Sequence, residues 1–287
     1  MFRQIKSLFS GGKVDIENRF ELLREAIHGT MSNFYQARDR NTGDIFGLKL
    51  LDVAKTAKAE QRFAGLNKPS EGQIAVSLDH PFIVKTFEHG TTTKNEPFLL
   101  MEYLEGQGLN SLILSGSEDL DRHAVDLIRQ AAEATAGVHA AGFIHRDICP
   151  RNFVVAPDCQ SLKLIDFGLT VPNSPPFRRP GNRTGTPRYM APEVVRRKTT
   201  DHRLDVFSFG VTAYEMLSSE SPWPRLDTTG KAAMDHDKPP TSIVERCPDI
   251  DPDLAEAIHR CLQPEPDQRP ESMEAFLQMI RNVQVAR

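Results

Sequence analysis

Between residues 20 and 104, apolar and β-branched residues gather in short runs, at 46–51, 83–87 and 98–103. Turn-forming residues such as Asn41-Thr42-Gly43-Asp44 separate them. Runs of that length bounded by that chemistry predict strands. One helix is predicted among them. It starts near Pro69, a residue suited to a first helical turn, and runs through Ile74, Val76 and Leu78. Gly106-Gln107-Gly108 interrupts this pattern, and beyond it the period changes. Small or apolar residues at 124, 128, 131, 135 and 138 follow a helical period and predict a helix over 123–141. Residues 206–214 carry no charge, which predicts a helix buried on every side. Amphipathic helices are predicted over 253–262 and 271–283, with Met273, Phe276, Leu277 and Ile280 on one face of the second. Residues 172–187, rich in Pro and Arg, predict an exposed loop. The expected fold is α+β and bilobal: a small β-rich lobe with one helix, a hinge near 101–107, and a larger, mainly helical lobe.

Composition narrows the function without choosing it. The chain has 287 residues, 39% hydrophobic and 26% charged, with net charge −4, which disfavours a nucleic-acid binder built on a broad basic face. Cys149, Cys159, Cys247 and Cys261 form no CxxC pair and no metal-ligand spacing, and are read as reduced thiols of a cytoplasmic protein. No apolar run is long enough to span a bilayer, and the first residues lack the apolar core of a secretory signal. Phe2, Ile5, Leu8 and Phe9 sit at roughly helical spacing with Arg3 and Lys6 between them. They leave open a membrane-surface contact through residues 1–13, against the plainer reading of a short arm that packs on the domain or frays.

The chemistry lies in three motifs in order: His145-Arg146-Asp147 with Asn152, then Asp166-Phe167-Gly168 after the apolar residues 162–165, then Ala191-Pro192-Glu193. In order and spacing they resemble the catalytic-loop, metal-binding and activation-segment motifs of eukaryotic-like (Hanks-type) protein kinases, in a form that looks bacterial and single-domain. Gly185-Thr186-Pro187-Arg188-Tyr189-Met190 is similar to the Ser/Thr form of the substrate-docking segment. The resemblance implies roles. Asp147 would accept or orient the proton of the attacking hydroxyl, with Thr186 near it. Asn152 and Asp166 would hold Mg²⁺, or Mn²⁺ in its place. Lys49, in Phe46-Gly47-Leu48-Lys49, would bind the ATP phosphates. Its carboxylate partner would be Glu71, at the matching distance from the His80-Pro81 turn, with Glu60 as the fallback. Met101 would guard the back of the adenine pocket, and backbone groups of Glu102 and Leu104 would face the adenine edge. Asp205 would brace the catalytic loop, and Arg269 would pair with Glu193.

Two stretches depart from the family. Aligned on Phe34, Tyr35 and Ala37, its three loop glycines fall at Ile27, Gly29 and Ser32, so one survives. Glycine lets backbone N–H groups approach phosphate, so weaker nucleotide binding is expected. The Lys usual two residues after the catalytic Asp is Cys149 here; Arg151 stands where tyrosine kinases carry an Arg and is expected to supply part of the missing charge. The usual activation-segment phosphosite is Asn182. Arg178, Arg179 and Arg183 are either a pocket for a phosphate on Thr184 or Ser174, or ordinary exposed cations.

The expected function is therefore an ATP-dependent Ser/Thr protein kinase acting on protein substrates. The alternative is a pseudokinase, a nucleotide-binding or scaffolding module, which Ile27, Ser32 and Cys149 would favour; retention of Lys49, Asp147, Asn152 and Asp166 favours catalysis. A kinase of small molecules is a more distant reading. The expected division is an arm at 1–19, an N-lobe at 20–104 and a C-lobe at 105–287, with the kinase domain over about 20–283.

Overall fold

The computed structural model describes residues 13–24, 27–28, 31–181, 183–223, 236 and 238–284, with backbone alone at Ile27 and His28. Gly29, Asn182 and most of the membrane-contact arm (residues 1–12) therefore lie outside the described residues. The chain divides into two compact units, one up to Asp79 plus Val84–Leu104, the other His80–Ile83 plus Glu105 onward.

The first unit is built on a sheet in the order β1 (Phe20–Leu22), β3 (Ser32–Asp39), β4 (Ile45–Leu51), β6 (Pro97–Glu102), β5 (Thr86–Thr91), with β2 (Ile27–His28) also paired to β3. Side chains alternate across a strand. Phe46 and Leu48 of β4 therefore join Ala37, Phe98 and Leu100 in one core, which the helical turn α1 (Ile16–Arg19) closes with Ile16 and the next residue, Phe20. Val14 also bridges to Thr92, so the described end of the arm packs on the sheet. Gly47 and Lys49 fall on the opposite face of β4.

The unit holds more helix than its apolar pattern implies. After α1 come α2 (Val53–Glu60) and then α3 (Glu71–Ser77). Helix α2 buries no residue, so it has no apolar stripe to read. It forms from Ala- and Lys-rich sequence behind an Asp52 cap that accepts from the Lys55 N–H. Strand β5 begins at Thr86, not at 83, because Ile83 and Val84 are buried in the preceding loop.

In the second unit the helices among the described residues run α4 (Leu109–Ser115), α5 (Glu118–Ala140), α6 (Pro192–Val195), α7 (Arg203–Ser218), α8 (Ile243–Arg246), α9 (Pro252–Cys261) and α10 (Met273–Met279). The uncharged stretch lies in α7, where every residue from Leu204 to Met216 is buried. Helices α5 and α9 pack against α7. A Cβ at Gly210 would lie 2.6 Å from Cys261 Cβ, so glycine sets the α7–α9 approach. Helix α5 starts five residues before the apolar pattern because Ser117 caps it. Helix α10 (Met273–Met279) is shorter than the stretch 271–283, with Ser272 as its cap. The loop 172–187 is exposed only in part: Phe177 is buried within it. Among the described residues no helix is long and apolar enough to cross a membrane, and all four cysteines are free thiols.

Candidate active site

The first unit contributes an ion pair. Lys49 Nζ donates to Glu71 Oε1 at 2.6 Å, with both side chains nearly buried. Glu71 is the first residue of α3. Ser70 caps that helix, reciprocated by Gln73, and a carboxylate suits a helix N-terminus. The helix can come close because its second residue is glycine: a Cβ at Gly72 would lie 2.5 Å from His89 of β5. Glu60, the fallback partner, pairs instead with Lys68 at 3.0 Å.

On the Lys49 face, Phe34 stands opposite Lys49, and Met101 opposite Gly47. A Cβ at Gly47 would lie 2.7 Å from the Phe34 ring and 3.2 Å from Met101 Cγ. Gly47 and Phe34 are thus complementary in size. Met101 is buried. Glu102 is held on Lys85, its N–H donating to the Lys85 carbonyl at 2.9 Å and its carboxylate accepting from the Lys85 N–H at 2.7 Å. Leu104 is the last residue of this unit.

The second unit holds the carboxylates. Asp205, fully buried near the start of α7, accepts from the His145 N–H at 2.7 Å, the Arg146 N–H at 2.8 Å and His139 Nε2 at 2.9 Å. Burial alone would push its carboxyl up, but the His139 hydrogen bond and the other donors outweigh it and hold the group below the usual carboxylate range. This brace supports a strained turn. Arg146 has φ +69° and Asp166 also φ +69°, both rare for residues with a Cβ. Burial pushes His145 below its ordinary value and keeps it neutral. Its Nδ1 accepts the Asp147 N–H at 3.3 Å, and its ring meets Phe167 edge-on.

Asp147 is held on both oxygens. Oδ1 accepts from the Thr186 N–H at 2.7 Å and the Thr186 hydroxyl at 2.8 Å. Oδ2 accepts from Asn152 Nδ2 at 3.1 Å, and the same Nδ2 donates to the Asp147 carbonyl at 2.7 Å. With its amide nitrogen so engaged, the atom that Asn152 would offer a metal is Oδ1. The Asn152 carbonyl accepts from the Ile165 N–H at 2.8 Å, tying the loop 145–152 to the residue before Asp166. Gly185 delivers Thr186: its φ is +122°, and a Cβ there would lie 2.7 Å from the Arg146 carbonyl. Arg151 Nη2 reaches Thr186 Oγ1 at 2.9 Å, and Cys149 Sγ lies 3.7 Å from it. Burial pushes the Cys149 thiol up to about 11, so it is a neutral packing group.

Among the described residues no three His, Cys, Asp or Glu side chains gather into a metal cluster. The donors present are the Asp166 carboxylate and the Asn152 amide oxygen. Hard oxygen donors fit a divalent cation that takes its remaining ligands from water and phosphate.

Arg269 forms a buried fork on Glu193, Nη1 to Oε1 and Nη2 to Oε2, both at 2.8 Å. This fixes Ala191-Pro192-Glu193 beside α7. Two contacts were not anticipated from the sequence. Glu215, buried on α7, accepts the Tyr189 hydroxyl at 2.6 Å and pairs with Arg188 at 2.7 Å. His236, packed at a tilt against Trp223 with ring centroids 4.4 Å apart, has Nδ1 2.8 Å from the Met190 carbonyl. No motif marks either one; the signal for the first was a lone carboxylate after a long uncharged run.

The model of the protein kinase domain family matches residues 20–279. The chain belongs to the protein kinase family. This kinase domain is 30% identical over 281 residues to serine/threonine-protein kinase PknA of Mycobacterium tuberculosis, covering 96% of this chain and 63% of that protein. It is 30% identical to serine/threonine-protein kinase pkn3 of Myxococcus xanthus, covering 86% of this chain and 47% of that one. To the Aurora kinase of Saccharomyces cerevisiae it is 33% identical, covering 80% and 62%. The kinase domain thus spans less than two thirds of the length of these relatives. The family is one of phosphotransferases that use ATP and a divalent metal.

Proposed function

We propose that this kinase domain transfers the γ-phosphate of Mg-ATP to Ser or Thr hydroxyls of protein substrates. The observation that carries this reading is the hydroxyl of Thr186 resting 2.8 Å from Asp147 Oδ1. Asp147 is already oriented to receive a hydroxyl, through Asn152 on its other oxygen and the Asp205 brace behind it. Phosphoryl transfer requires such alignment and the neutralisation of phosphate charge more than covalent help from the protein.

In this reading Asp147 orients the acceptor and takes its proton. Asn152 Oδ1 and Asp166 hold the divalent ion, Mg²⁺ or alternatively Mn²⁺, whose chemistry when bound is to neutralise the phosphates. Lys49, fixed by Glu71, binds the phosphates. Met101 closes the back of the base site, backbone groups of Glu102 and Leu104 face the base edge, and Gly29 remains the one glycine of the phosphate loop, with Ile27 and Ser32 weakening it. Arg151 supplies positive charge beside Thr186 that Cys149 cannot. That placement supports a working enzyme over a non-catalytic module. The lobes are taken as residues 20–104 and 105–287, and a cytoplasmic location fits the free thiols.

The test is transfer of label from γ-labelled ATP, with Mg²⁺ or Mn²⁺, to acidic and basic acceptor proteins, by the wild type and Asp166→Asn. Label on Ser or Thr with the wild type alone supports the reading. No label with either, in protein shown to be folded, refutes it.

A further inference from the structure

We propose that the substrates of this kinase domain carry acidic residues beside the acceptor hydroxyl, and that Arg188 reads them. The inference rests on the kinase reading above and goes beyond it to the substrate class.

The charge of the chain is unevenly placed. Net charge is −4, yet residues 178–198 hold seven Lys and Arg side chains against one carboxylate, Glu193. Glu193 is buried and held in the Arg269 fork, so it offers nothing to a peptide. Arg196 and Lys198 share Glu265, at 3.5 and 4.0 Å. Arg178 turns to Asn173, and Arg183 to the Val195 carbonyl. Arg179 stays exposed. The segment that leads to Thr186 and away from it is thus a basic surface on an acidic protein. Such a surface attracts and orients oppositely charged partners.

Arg188 makes this a built feature and not only a field. It lies two residues after Thr186, in the single 3₁₀ turn Pro187–Tyr189. Its Nη2 lies 2.7 Å from Oε1 of Glu215, whose side chain is 5% exposed, while Arg188 keeps 32% exposure. A buried carboxylate in this place would favour a basic substrate residue if it were open, because an unpaired buried charge is costly. Here the chain fills that place with its own guanidinium. The carboxylate is neutralised, and what a peptide meets is the outer edge of a fixed Arg, a planar donor suited to carboxylate or phosphate. Arg188 stands two residues from Thr186, whose hydroxyl already rests 2.8 Å from Asp147 Oδ1, so a peptide presenting its own hydroxyl to Asp147 would meet this edge close to its acceptor residue.

The experiment uses the full chain, ATP and peptides with one Thr, flanked by Asp/Glu, by neutral residues or by Lys/Arg. The acidic peptides are expected to show at least a tenfold higher kcat/KM than the basic ones at low salt, the gap narrowing as salt rises. Arg188→Ala should shrink or invert the gap by uncovering Glu215, and Arg188→Lys should retain most of it. Arg179→Glu should lower kcat/KM for acidic peptides severalfold and leave the neutral peptide unchanged; this arm stands even if Arg188→Ala does not fold. Equal or better use of basic peptides by the wild type overturns the inference alone. Failure to label any peptide or protein overturns the kinase reading, and the inference with it.

Discussion

The Arg151 guanidinium donates to Thr186 Oγ1 at 2.9 Å while the same hydroxyl donates to Asp147. One hydroxyl thus joins a cation to the carboxylate proposed to act in catalysis, at the place where Cys149 leaves no charge. Losing a preorganised cation there costs on the order of a hundredfold in rate. Arg151→Ala is expected to lower kcat about that much with little change in the KM for ATP. Arg151→Lys should recover part of the loss. Steady-state kinetics decide it: an Arg151→Ala enzyme with wild-type kcat would show that the contact is only structural.

Phe34 and Gly47 form a large–small pair on the Lys49 face of the sheet. A methyl at position 47 meets the ring at 2.7 Å, and the ring is the group able to yield. Gly47→Ala is therefore expected to leave the sheet folded, at a cost of roughly 1 kcal/mol, and to displace Phe34 across the face where nucleotide is proposed to bind. ATP affinity should fall severalfold. Phe34→Val combined with Gly47→Ala should restore it, with a coupling energy of about 0.5–3 kcal/mol in a double-mutant cycle. Additive effects in ATP titrations would refute the coupling.

That pair also shows what a sequence can and cannot disclose. The motif residues were legible because chemistry fixes their identity and order: Asp147 with Asn152, Asp205, and Arg269 facing Glu193 are each separated by a spacing that survives without any knowledge of packing. Glu71 was legible too, since its distance from the His80-Pro81 turn counts helical residues toward Lys49. Helix α2 was not, because it buries nothing and so prints no apolar period. The Arg188–Glu215 and His236–Met190 contacts join residues 27 and 46 positions apart. No local pattern encodes such pairs, and only the packing of α7 brings them together. The compensation between Phe34 and Gly47 hid for a different reason: they lie 13 positions apart on different strands, and only the register of β3 and β4, with Phe34 opposite Lys49, brings the ring over Gly47.

The Glu193–Arg269 fork is buried at both ends, with side chains 4% and 0% exposed. Removing one partner leaves the other charge uncompensated, which typically costs about 3–5 kcal/mol, whereas replacing both with apolar groups is often neutral. Arg269 also donates to the carbonyls of Arg203, Gln263 and Pro264, so its loss strips several acceptors at once. Arg269→Met is expected to be the more damaging single change, and Glu193→Gln the milder. Thermal or urea melts of the second unit's signal should rank them in that order. Equal melting of Arg269→Met and wild type would mean that the fork contributes nothing.

Acid should weaken the fold through His259 before it reaches the carboxylates. His259 Nε2 accepts the Ile243 N–H at 3.0 Å, which requires that nitrogen to be unprotonated, and burial pushes the group below its ordinary value of 6.5. The unfolded chain therefore takes up a proton at higher pH than the folded one does. Stability from this group is whole above about 6.5 and declines as pH falls from there toward the lower folded value, with a slope of up to about 1.4 kcal/mol per pH unit. The buried His145 adds a slope of the same sign. In His259→Gln the amide oxygen can still accept from Ile243 but cannot titrate. Melts between pH 7 and 5 should then show a shallower decline for His259→Gln than for the wild type. Parallel declines would place the acid sensitivity elsewhere in the chain.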